Sequence, residues 1–182
     1  MKAIGGIEPT DTNLIVFDLD DHIPRLPPQL AFQIQVVVSD KNICHTVIDE
    51  GASTCVMSFA CWKAIGSPPL NESKNTLKAF NGSSFKPYGV LPSLPVTLEG
   101  KTVQVEVEVF DAPLDYNLLL GRSWVDSMCA VVSTLFRVLL FPHQGKVVTV
   151  DQLAFFNSDT HTGNVLFIAK LHRVTRMSVW AF

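Results

Sequence analysis

Charge is scarce in these 182 residues, with 14 Lys and Arg against 17 Asp and Glu and no basic cluster. A net charge of -3 and a pI near 5.9 leave no electrostatic footprint for nucleic acid. Long apolar runs are also missing: none approaches the roughly 18 residues that a membrane helix needs. The N-terminal residues, Glu8, Asp11 and Asp18 among them, lack the cationic start and apolar centre of a signal peptide. The chain is therefore expected to be soluble and intracellular, in the cytoplasm. Cysteine is sparse. Cys44, Cys55, Cys61 and Cys129 form no Cys-x-x-Cys pair, and Cys44 and His45 as strand neighbours point to opposite faces, so no metal site is expected and buried free thiols are. Without a secretory route, the glycosylation-like Asn71-Glu72-Ser73 and Asn81-Gly82-Ser83 are chance matches. No internal repeat stands out.

What the chain has in quantity is apolar residues, 47% of the total, enough for one compact domain with a core. Their spacing is that of strands. Leu30, Phe32, Ile34, Val36 and Val38 alternate with Ala31, Gln33, Gln35 and Val37, giving one buried face. Ser39-Asp40-Lys41-Asn42 turns this strand into a second over residues 43–49. Residues 58–65 have helical spacing, stopped by Gly66 with Pro68 and Pro69. Residues 77–80 read as a strand entering the hairpin turn Asn81-Gly82, and residues 94–98 as another, placed at an edge by Pro92 and Pro95. Val103, Val105, Val107 and Val109 alternate with Gln104, Glu106 and Glu108 in the cleanest half-exposed strand. Leu118, Leu119 and Leu120 are apolar on both faces, as in a strand crossing the middle of a barrel. Ser123 is placed to cap a two-turn helix through Ala130, with Asp126 in its first turn. Residues 138–141 and 146–150 make a last hairpin around Pro142-His143-Gln144-Gly145. The fold class is all-β, a closed β-barrel with one or two short helices.

The chemistry concentrates in Val47-Ile48-Asp49-Glu50-Gly51-Ala52-Ser53, an apolar strand that runs into an acid and breaks at a glycine beside small residues. A buried strand carries a carboxylate rigidly to its end, and glycine turns the chain sharply where a substrate must approach. Alone, such a run is also an ordinary turn after a strand. Further along comes Tyr116-Asn117-Leu118-Leu119-Leu120-Gly121-Arg122-Ser123-Trp124, a second apolar strand ending in glycine and followed by a short helical pattern. In this order and spacing the two runs resemble the retropepsins. The nearest likeness is to the aspartic protease segment in the polyprotein of plant gypsy-type LTR retrotransposons, where an Asp-x-Gly-Ala loop precedes a Leu-Leu-Gly-Arg-x-Trp element. The resemblance covers residues 26–152.

No second Asp-x-Gly lies in an apolar setting, so the resemblance implies a homodimer in which each subunit supplies Asp49. Two carboxylates a few ångströms apart share one proton, activate water and hydrolyse a peptide bond without metal or organic cofactor. Glu50, Gly51, Ala52 and Ser53 complete the active-site loop. The hairpin with Phe80, Asn81, Gly82 and Ser83 at its tip falls where the family carries its flap, and Leu119, Leu120, Gly121 and Arg122 fall where it supports the loop from behind. The partners implied are a second copy of the chain and a polypeptide bound as an extended strand, apolar around the cut. Residues 1–27 and 153–182 resemble polyprotein flanks around a protease domain at 28–152.

Two positions depart from the family's pattern. Glu50 stands where most retropepsins have Thr or Ser, which puts two extra negative charges near the catalytic pair and makes dimerisation acid-dependent. Ser53 stands where retroviral enzymes have an acid that pairs with the arginine matching Arg122. Arg122 is therefore expected to reach Glu50. A retropepsin-like module that dimerises without catalysis, and a ligand-binding barrel in which Asp49-Glu50-Gly51 is only a turn, are the competing expectations.

Overall fold

The computed structural model describes residues 26–78 and 84–157. In chain order the elements are β1 (Gln33–Val38), β2 (Lys41–Ile48), β3 (Cys55–Ser58), α1 (Phe59–Ala64), β4 (Leu77–Lys78), β5 (Ser84–Phe85), β6 (Gly89–Leu98), β7 (Lys101–Phe110), β8 (Leu118–Leu120), α2 (Arg122–Met128), β9 (Val131–Ser133), β10 (Val138–His143), β11 (Lys146–Asp151) and α3 (Leu153–Asn157). Six strands close a barrel in the order β1-β2-β8-β3-β7-β6, and β11-β10-β9 form a separate three-stranded sheet. Closure removes the exposed edges that a free sheet would offer to other chains.

Local chemistry sets the turns. Ser39 (φ 49°) and Asp40 (φ 60°) both take the left-handed backbone, as a two-residue hairpin turn between right-twisted strands requires. Gln144 and Gly145 repeat the device between β10 and β11. The Ser58 hydroxyl accepts the Cys61 N–H at 3.2 Å and caps α1, which ends where Gly66 turns the chain at φ 106°. The core is filled by alternate residues of the strands, among them Phe32, Ile34, Val36 and Val38 of the first and Val105, Val107 and Val109 of the seventh, with Trp124 and Phe141 sealing it.

Several expectations change. β6 is not an edge strand: it pairs with β7 along its length and meets β1 at Val37↔Thr97. Pro92 is accommodated because it lies in the register shift between Leu91 and Leu94, where a ladder donor is not required. The residue that caps α2 is Gly121, with no side-chain cap, so Ser123 lies inside the helix and Asp126 beyond its first turn. Glu108 is fully buried rather than on a solvated face. Of the four free thiols, Cys55 and Cys61 are buried but Cys44 and Cys129 are exposed. β2 carries a bulge: Ile34↔Thr46 and Val36↔Ile43 leave Cys44 and His45 opposite Gln35, with His45 at φ 54°.

The small sheet is tied to the barrel by buried polar contacts. The guanidinium of Arg137, only 3% exposed, donates to Leu30 O at 2.9 Å and Pro27 O at 2.8 Å, and Gln152 Nε2 donates to Ala31 O at 3.0 Å. Phe155 of α3 packs on the core. Among the described residues, no helix is long and apolar enough to cross a membrane.

Candidate active site

β2 and β8 lie side by side and parallel, with Val47↔Leu119 and Ile48↔Leu120 in register. The chain therefore leaves the barrel at Asp49 and at Gly121 from adjacent strands. The Asp49 N–H donates to Leu120 O at 3.0 Å, which fixes the backbone that carries the acid. The loop then closes on itself: Ala52 N–H donates to Asp49 O at 3.1 Å, and Gly51 N–H donates to Asp49 Oδ1 at 2.9 Å. One carboxylate oxygen of this half-buried residue is thus oriented by a backbone donor. Its other oxygen takes no hydrogen bond among the described residues.

Gly121 packs directly behind this loop. A Cβ there would lie 2.4 Å from Thr54 O and 2.7 Å from Ala52 O, so only glycine allows the two backbones to approach this closely. Arg122 N–H donates to Ala52 O at 2.8 Å, and Gly121 N–H points to Cys55 Sγ at 3.4 Å. Burial pushes the Cys55 thiol up, against the opposing hydrogen bonds of Ser123, Gly121 and Trp124, so it sits there as a neutral acceptor and not a nucleophile. Leu119, Leu120, Gly121 and Arg122 are therefore brought together with Asp49 and Ala52. Arg122 contributes its backbone. Its side chain and that of Glu50 are both exposed and make no salt bridge with each other. Ser53 is likewise exposed.

A second apolar cluster lies beside the loop. Ala52, Val56, Phe110 and Leu119 are buried together, with Val47, Leu114 and Tyr116 packed against them. Val56, Phe110 and Leu119 are the residues of β3, β7 and β8 that alternate with core residues Cys55, Met57, Val109, Leu118 and Leu120, so the cluster occupies the opposite face of the sheet. Tyr116 is electrically coupled to the acid. Its hydroxyl is pushed up to about 12, first by burial and then by the charges of Asp49 and Asp115.

Asn117 is a structural partner that sequence reasoning passed over. Its amide donates to Cys44 O at 2.9 Å, its N–H donates to His45 O at 3.1 Å, and its own carbonyl accepts Ser58 N–H at 3.0 Å. Its side chain and backbone together serve the bulge in β2, and its backbone ties the start of β8 to β2 and β3. Phe80, Asn81, Gly82 and Ser83 lie outside the described residues. The strands that flank them, β4 and β5, pair as Leu77↔Phe85 and Lys78↔Ser84, the base of a hairpin. No group of three or more metal-ligating side chains is present among the described residues.

No protein-family model and no curated protein matches this sequence. Solved structures do. The retroviral protease-like domain of Ddi1 from Leishmania major superposes with a TM-score of 0.50 at 13% identity, over 66% of this chain and 94% of that domain. The EIAV protease in complex with the inhibitor HBY-793 gives a TM-score of 0.47 at 15% identity, over 65% and 99%. The barrel of this chain, with its few short helices, has the retropepsin-like fold.

Proposed function

We propose that the chain is an aspartic endopeptidase that works as a homodimer, with Asp49 of each subunit meeting across a two-fold axis. The observation that carries this reading is the clamped loop. An acid sits at the end of a buried strand, one oxygen is held by Gly51 N–H, and a glycine from the neighbouring strand supports the turn from behind. That is the construction a shared-proton carboxylate pair requires, because small displacements of reacting groups are costly. The paired acids hold a water between them. The ionised member takes its proton, the water attacks the peptide carbonyl, and the protonated member donates to the developing oxyanion.

The apolar cluster of Ala52, Val56, Phe110 and Leu119 supports a substrate bound as an extended strand with apolar side chains near the cut. Phe80, Asn81, Gly82 and Ser83 then form the tip of the flap over it, with β4 and β5 as its arms. The natural substrate in this reading is a retrotransposon polyprotein of the plant gypsy type, with residues 1–27 and 153–182 as flanks of a protease domain at 28–152. Cleavage of a denatured protein across acid to neutral pH tests it. Activity is expected in the unaltered chain and at least a thousandfold less in Asp49→Asn, on the order of the loss for removing a catalytic group. A stable dimer with no cleavage at any pH would replace this reading with that of a module that only dimerises.

A further inference from the structure

Glu108 has no part in the chemistry above. It is fully buried on β7, while the neighbouring acid Glu106 is exposed. In register with Val56 of β3 and Val90 of β6, and two residues before Phe110, it lies on the face that carries the apolar cluster beside Asp49. Its Oε1 accepts the Asn75 amide at 2.6 Å. Its Oε2 is sealed from solvent and has no partner among the described residues. A carboxylate is an acceptor with about four lone-pair positions, and one neutral amide fills one of them. Burying such a group without a cation is costly, so the position is short of a charged donor.

The cover over Glu108 is thin. Residues 72–76 have no regular structure and, apart from Ser73, are exposed. The segment is fastened at one end by the Asn71–Val90 bridge and at the other by the Asn75–Glu108 hydrogen bond itself. Few buried contacts mean that it opens at low cost. The cover carries both signs, with exposed Lys74 beside Asn75 and Glu72 paired to Lys86 at 3.7 Å, so the demand for a cation comes from the buried Glu108 oxygen itself.

We propose that Glu108 is a specificity-determining residue whose Oε2 accepts the ammonium or guanidinium group of a basic side chain on the bound polypeptide. Val56 and Val90 then cover the aliphatic stem of that side chain, as long basic residues require. The inference rests on the polypeptide-cleaving reading and adds one basic position to its otherwise apolar preference.

The test uses the Asp49→Asn chain, so that peptides bind without being cut. Labelled apolar peptides carry lysine, or the uncharged norleucine, at each position in turn. At one position lysine is expected to bind more tightly by roughly tenfold to a hundredfold, the range for a buried hydrogen bond to a charged group. Adding Glu108→Gln should abolish that ratio and leave the norleucine affinity unchanged. Equal affinities in the chain that keeps Glu108, or a Glu108→Gln loss shared by both peptides, would overturn the proposal and leave the protease reading standing. Failure of every peptide to bind would overturn both. Should Glu108→Gln not fold, the Asn75 side-chain amide resonance decides: it shifts on adding the lysine peptide and not the norleucine peptide if Glu108 takes the cation, and alike for both if it does not.

Discussion

Replacing Gly121 by alanine tests the support of the Asp49 loop through one methyl group. The backbone there, at φ -85° and ψ -168°, is open to any residue, so the cost of the change is steric and not conformational. The added carbon would meet Thr54 O at 2.4 Å, Ala52 O at 2.7 Å and the Thr54 carbonyl carbon at 3.0 Å, all of them backbone atoms that cannot rotate away. Either the loop or the start of α2 must move by several tenths of an ångström. Overpacking of this kind costs roughly 1–3 kcal/mol. Displacing the loop also strains the Arg122 N–H to Ala52 O bond, at 2.8 Å, which adds about 1 kcal/mol. The expected loss is about 2–4 kcal/mol, a large share of the 5–15 kcal/mol typical of a domain. Urea unfolding followed by tryptophan fluorescence reads it directly, and hydrogen exchange should show the Asp49 and Arg122 amides losing protection first. A midpoint corresponding to less than about 0.5 kcal/mol, the range for surface changes, would refute the close approach.

Three further outcomes follow from the same structure. In a Tyr88→Phe background Tyr116 is the single tyrosine, because the chain has two; its ultraviolet titration should have a midpoint near 12, and Asp49→Asn should lower that midpoint by removing one of its causes. Because the folded value lies above the ordinary 10.0, this tyrosine's contribution to stability is fully present below pH 10 and is lost as pH rises through about 12, and a midpoint indifferent to Asp49 would separate the two groups. Val131, 52% exposed on the outer edge of the β9–β11 sheet, and Leu135, 57% exposed just after it, belong to a stretch without charge or proline that offers an edge for pairing. Val131→Lys should weaken self-association measured by sedimentation at least tenfold and change monomer stability by no more than about 0.5 kcal/mol; an unaltered dimer constant would place the subunit contact elsewhere. Asn117→Ala should cost roughly 0.5–1.5 kcal/mol, the net worth of the amide hydrogen bond to the solvent-exposed Cys44 carbonyl, and an unchanged melting temperature would refute that accounting.

The parts of this fold that were legible in the sequence are those whose side chains alternate over enough residues to show a period. β1 and β7 are of this kind; β2, whose period its bulge breaks, was read from the turn before it, β10 and β11 from the turn between them, and α1 from the helical spacing before Gly66. β3 was not legible. Its four residues, Cys55–Ser58, are all buried, so it has no polar face to mark a period of two, and it runs directly into the cap of α1. β9 is three residues long and follows α2 after a left-handed Cys129, which leaves too little pattern to separate it from a loop. Glu108 illustrates a different limit: Val-Glu alternation marks an outward face correctly, but whether that face is wet depends on residues 71–76, which fold over it from elsewhere in the chain.

The site divides in the same way. The packing of Gly121 behind the Asp49 loop was legible, because such a close approach of two backbones admits only glycine. The proposed Arg122–Glu50 contact was not borne out, since charge complementarity alone says nothing of which way two exposed side chains point. Asn117 and Cys55 work through backbone partners brought in by the parallel pairing of β2 with β8, a long-range fact that no local window contains.

The central claim is that one catalytic site is made from two copies of Asp49, and mixing chains measures it most directly. Unaltered and Asp49→Asn chains are combined in equal amounts, allowed to exchange subunits, and assayed for peptide cleavage at fixed total wild-type chain. Random pairing sends half of the wild-type chains into mixed dimers with one carboxylate, so activity should fall to about half. Activity that does not change on mixing, with exchange verified by sedimentation of labelled chains, would show that each subunit cleaves alone and would contradict the shared site.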